Sequence, residues 1–198
     1  MHIPKPKLQA HAQQELRADL LRLIEQPSAS QVPPCPNCIQ ALNQRDDCSY
    51  NCENAASALS VEPTQFPIEQ FAMPLVFELT TLRLVQTCWS CEGHTNFEGE
   101  ILKMPRISFY AVRPIYAQLI GQYLTQLYFQ KKLHYPWEVA LSDYGQTLDI
   151  TYTIKCDTSF EKPELTLMQE DLLNMANNLS TEVKSFAHRM LNKLDNTI

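Results

Sequence analysis

Six of the seven cysteines fall within a window of 57 residues, and the first four lie in a stretch with few large apolar side chains. Such a segment has little apolar surface to bury and cannot offset the entropy of ordering its backbone by a core of its own. Some other bond has to organise it, and the cysteine spacing points to metal. Cys35-Pro-Asn-Cys38 and Cys88-Trp-Ser-Cys91 are Cys-x-x-Cys pairs, with Cys48 and Cys52 between them and His94 just after the second pair. Two thiolates three positions apart can grip one ion, which is why this spacing recurs in zinc knuckles.

Cys35, Cys38, Cys48 and Cys52 place four thiolates within 18 residues. Asp46 and Asp47 are positioned to cap a helix from about Cys48 to Leu59. Residues four apart share a helix face, so the sulfurs of Cys48 and Cys52 would meet an ion carried by the loop pair. A closed set of four thiolates describes a structural zinc, whose binding contributes on the order of 10 kcal/mol to folding. An iron–sulfur cluster is the rival occupant, since four thiolates hold that as well.

The second group, Cys88, Cys91 and His94, is expected where a strand empties into a polar loop. Gly93 permits a tight turn that swings His94 back toward the sulfurs. Two cysteines and a histidine with a fourth position open would be a catalytic zinc arrangement. Without metal, Cys88 and Cys91 could act as a redox dithiol. Alternatively they complete a zinc ribbon with Cys35 and Cys38. Glu78, Glu92, Glu98 and Glu100 lie around this motif, and Cys156 continues the apolar face of a later strand as a core thiol.

With 198 residues and 44% hydrophobic content the chain can bury one core. The formal net charge of −6 and the pI of about 5.3 oppose a phosphate-neutralising surface, which argues against nucleic acid. No run approaches the roughly 18 apolar residues that would span a bilayer, and Met1 to Lys7 lead into a polar helix without a signal-peptide pattern. A cytoplasmic setting follows as the expectation, where thiols stay reduced and clustered cysteines hold metal more often than they form disulfides.

Hydrophobic spacing predicts helices over residues 8–25, up to about Thr81, from Pro114 to about Lys132, and from about Pro163 onward with a break at Asn177-Asn178 and Ser180 as a cap. Strands are expected over 83–89, 107–112 and 137–141, and over 148–154, where Leu148, Ile150, Tyr152 and Ile154 alternate with polar residues. Ser142 to Gly145 would turn the last two into a hairpin. The fold class is α+β: a mostly antiparallel sheet of about four strands with helices on one face, plus the N-terminal Cys-rich metal-binding segment. The division falls between residues 1–62 and 63–198.

The functional expectation is a small cytosolic metal-binding protein, with zinc as the ion and an accessory or regulatory binding role. The alternatives are an enzyme with a catalytic zinc or redox dithiol at Cys88, Cys91 and His94, or an iron–sulfur protein. A C-terminal helix unbroken over about 30 residues would run about 45 Å. That exceeds what such a domain needs, so a protein partner or a second copy could pack on it.

Overall fold

The structure is a computed structural model that describes residues 10–26, 68–142, 150–157 and 163–196. Cys35, Cys38, Cys48 and Cys52, the helix expected over 48–59, the division near residue 62 and the hairpin turn at 143–145 lie outside the described residues. Five helices and a four-stranded antiparallel sheet make up the described fold, an α+β architecture. The order is α1 (Ala10–Ile24), α2 (Met73–Thr81), β1 (Val85–Cys91), β2 (His94–Thr95), β3 (Ile101–Lys103), β4 (Arg106–Ala111), α3 (Pro114–Phe129), β5 (Trp137–Ser142), β6 (Thr151–Cys156), α4 (Leu165–Ala176) and α5 (Leu179–Asp195). The main sheet runs β1-β4-β6-β5, and β2 with β3 forms a small separate ribbon.

Alternation along the strands sends Ile107, Phe109 and Ile154 into the helical layer, where all three are fully buried. The opposite face carries Trp89, Arg106, Tyr110, Glu138 and Lys155, all exposed. Pro114 opens α3, where its missing N–H costs no intrahelical bond. From there Tyr116, Leu119, Ile120, Tyr123, Leu124 and Leu127 present one buried stripe. On the far side of residues 27–67, α1 joins the same core through Leu20 and Leu23. Its Asp19 carboxylate accepts from Arg113 Nε at 2.9 Å, and the Lys184 ammonium donates to the carbonyl of Gln26 at its end.

The expected break at Asn177-Asn178 is present. Asn178 takes a left-handed backbone (φ +63°), which asparagine tolerates better than most residues. The buried Tyr123 hydroxyl donates to the carbonyl of Asn177 at 2.6 Å, which holds the joint against α3. The cap differs from the expectation. It is the Glu78 carboxylate, reaching over from α2, that accepts the Ser180 N–H at the start of α5. Because the helix turns here, Leu179, Val183, Ala187 and Leu191 fold back into the chain's own core. Among the described residues no helix is long and apolar enough to cross a membrane.

One carboxylate ties the C-terminal helices to the sheet. Asp171, on α4, is fully buried. Its Oδ1 accepts the His134 backbone N–H at 2.8 Å and lies 2.9 Å from His134 Nδ1. Its Oδ2 accepts from the Tyr135 N–H and from Trp137 Nε1. Asp171→Ala strands these donors in a dry site, so unfolding in urea should show a loss of roughly 3 kcal/mol or more. Asp171→Asn should lose less, since its amide oxygen still accepts.

Cys156 is a core thiol opposite Trp137. Burial, reinforced by the charges of Asp171 and Asp157, pushes it from 9.0 up to about 12. The folded value lies above the unfolded one, so this group's contribution to stability is complete below about pH 9 and is lost as pH rises toward 12. Urea unfolding across that range should therefore show the wild type's advantage over Cys156→Ala narrowing as pH increases.

Candidate metal centre

An extra residue in β1 decides where Cys91 points. Thr87 pairs with Phe109 and Trp89 with Ser108, so Cys88 is left between them as a β-bulge. Before the bulge Val85 and Thr87 share the face of the core residues. After it Ser90 takes that face opposite Ile107, while Trp89 and Cys91 move to the face of Ser108 and Arg106. Cys91 ends the strand and is 3% exposed. Gly93 then turns the chain with φ +87°, and His94 begins β2.

Glu69 completes the group from the other direction. It lies four residues before α2, and its Oε1 is 2.8 Å from His94 Nε2. One ligand atom each from Glu69, Cys91 and His94 lie within 4.8 Å of one another. The second Glu69 oxygen accepts the Glu92 N–H, and the Glu92 carboxylate in turn accepts the Phe71 N–H at 2.7 Å. This reciprocal clasp fixes the segment before α2 against the corner after β1. From α4, Gln169 Nε2 donates to the Glu92 carbonyl at 3.2 Å and braces the same corner.

Burial is the main influence on the Cys91 thiol and pushes its pKa up. The Gly93 N–H, donating to Sγ at 3.4 Å, pulls the other way, Glu69 adds to the rise, and the charges of Lys103 and Arg106 lower it. Burial likewise raises the Cys88 thiol. Both cysteines are therefore protonated at neutral pH in the metal-free protein, which is the opposite of what a reactive dithiol needs.

Of the residues singled out in the sequence, the fold brings Cys91 and His94 together and leaves Cys88 apart from the group. Cys88 lies inside the extended run of β1, where residues three apart are about 10 Å apart along the axis. The tight turn that lets a knuckle's sulfurs converge comes after Cys91, not between the cysteines. Of the glutamates near the motif, Glu92 positions Glu69. Glu78 caps α5, while Glu98 and Glu100 donate their backbone N–H groups to Asn96 Oδ1 in the β2–β3 turn. Glu69 itself was not expected. It lies 22 residues from Cys91 in the chain, and no spacing rule links the two.

The Gly93 corner leaves no room for a side chain. A Cβ there would lie 2.5 Å from Leu165 Cδ1, 2.9 Å from Pro105 Cδ and 3.0 Å from the Lys103 carbonyl. Leu165 can rotate away, but the positive φ and the backbone carbonyl cannot be relieved so easily. Gly93→Ala should lower stability by about 1–3 kcal/mol in urea unfolding and displace His94 from Glu69. Comparison of the chain with protein-family models, with curated proteins and with solved structures found no match, so the chemistry of this centre rests on its own geometry.

Proposed function

We propose that this is a zinc-binding protein in which Glu69, Cys91 and His94 hold one ion and leave its fourth position open. The observation that carries this reading is the convergence of a carboxylate, a thiol and an imidazole within 4.8 Å. Around a tetrahedral zinc, nitrogen, oxygen and sulfur ligands lie about 3.3–3.5 Å apart, so only small side-chain movements separate the two arrangements. The donor set mixes hard and soft atoms, which suits a borderline ion such as zinc better than calcium or magnesium. The clasp from Glu92 to Glu69 is the kind of outer contact that orients a metal ligand.

Its role is one of binding, accessory or regulatory. Cys35, Cys38, Cys48 and Cys52 form a separate closed zinc site in this reading, with an iron–sulfur cluster as the other occupant. A catalytic zinc is the second reading, and the open position of a three-ligand centre favours it. A thiol nucleophile or dithiol exchange is disfavoured, because burial raises both Cys88 and Cys91.

Zinc content and affinity, measured by elemental analysis and chelator competition, test the reading. Wild type should hold at least one equivalent per chain, and Cys91→Ser, His94→Ala and Glu69→Gln should each lower the content by up to one equivalent. Since Cys91 must lose its proton to bind, affinity should fall by about tenfold or more for each unit of pH lowered. Metal content that stays the same in all three variants would remove the centre from consideration.

A further inference from the structure

Two cations flank the Glu69–Cys91–His94 group, and among the described residues no acidic side chain pairs with either. Lys103 lies directly across from His94 in the β2–β3 pair, and Arg106 directly across from Cys91 in the β1–β4 pair. Residues opposite one another in antiparallel strands keep their Cβ atoms about 4.5–5.5 Å apart on one face. Both side chains therefore leave the backbone beside the ligands. Both are exposed, and neither joins an ion pair among the described residues. Lys155, the next cation across the sheet from Arg106, is by contrast matched to Glu138 at 3.3 Å.

Arg106 is also held in a definite pose. Its guanidinium carbon lies 4.5 Å from the centroid of the Trp89 ring. Stacking of this kind restrains the plane and leaves the N–H edges free to donate in pairs to an oxyanion. The bulge that turns Cys91 onto this face turns Trp89 onto it as well, so ligand, indole and guanidinium arrive together.

Charge decides what such a site would take. A divalent ion bound by one carboxylate and one thiolate carries no net charge, so it has little long-range pull on an anion. Lys103 and Arg106 restore that pull beside the open position. We infer that the fourth position takes an oxyanion, a carboxylate or phosphate group, with Lys103 as a point charge and Arg106 as a two-pronged donor. This deepens the metal reading and rests on it.

Cobalt(II) in place of zinc provides the test, because its visible spectrum reports the fourth ligand. The cobalt-loaded full-length protein is titrated separately with inorganic phosphate and with acetate. Wild type should show a saturable spectral change with at least one of them, and the tighter of the two identifies the oxyanion class. In Lys103→Gln and in Arg106→Gln that affinity should fall by about tenfold or more, with cobalt uptake retained. A cobalt-loaded wild type whose spectrum ignores both anions overturns the inference. So does equal anion affinity in wild type and both variants, which would mean simple ligand exchange at the ion. Failure of wild type to take up cobalt at Cys91 is a separate result that removes the metal reading itself.

Discussion

An antiparallel strand has a strict two-residue alternation, and a single inserted residue reverses it for everything downstream. In β1 that insertion is Cys88. Were Cys88 paired as a regular strand residue, Trp89 and Cys91 would continue the face of Val85 and Thr87 and point into the helical layer. With the bulge the last turn of side chains emerges beside Arg106, where the β2–β3 ribbon and the segment before α2 can meet it. The candidate centre, the indole–guanidinium stack and the flanking cations all depend on this one change of face.

The two carboxylates that matter most are both used as hydrogen-bond acceptors for backbone N–H groups, in different settings. Asp171 is sealed between α4 and β5 and takes up donors that would otherwise be stranded, which makes it part of the scaffold. Glu69 divides its oxygens. One accepts from the Glu92 backbone and the other faces His94 on a side open to solvent. Satisfying the first oxygen fixes the direction of the second, which is the kind of restraint that preorganises a candidate ligand. Gln169 and the tight packing at Gly93 extend the same restraint to α4.

Much of the fold could be read from residue patterns, since its elements follow strong periodicities. The stripe from Tyr116 to Leu127, the opening Pro114 and the paired asparagines between α4 and α5 each have a local physical cause. Less legible were features whose cause is not local. A bulge adds a residue without any mark in composition, so the alternation of β1 could not be phased. The strands β2 and β3, of two and three residues, are too short for a period. Asp171 sits next to Leu172 on a helix read for its apolar positions, so its burial was hidden by the very stripe that identified the helix. His94 and Cys91 were visible as chemistry. Their partner Glu69 was not, because its approach is set by how α2 packs.

The order of the three candidate ligands along the chain has a consequence for the unfolded state. Glu69 precedes α2, Cys91 ends β1, and His94 opens β2, with 22 residues separating the first two. An ion shared by Glu69 and Cys91 would close a loop containing all of α2 and most of β1. Removing that many chain conformations from the unfolded ensemble corresponds to about 3 kcal/mol on the scale used for disulfide cross-links. The ion would then act as a reversible cross-link that needs no oxidant. It would make the docking of α2 on the sheet respond to the availability of metal in the surroundings.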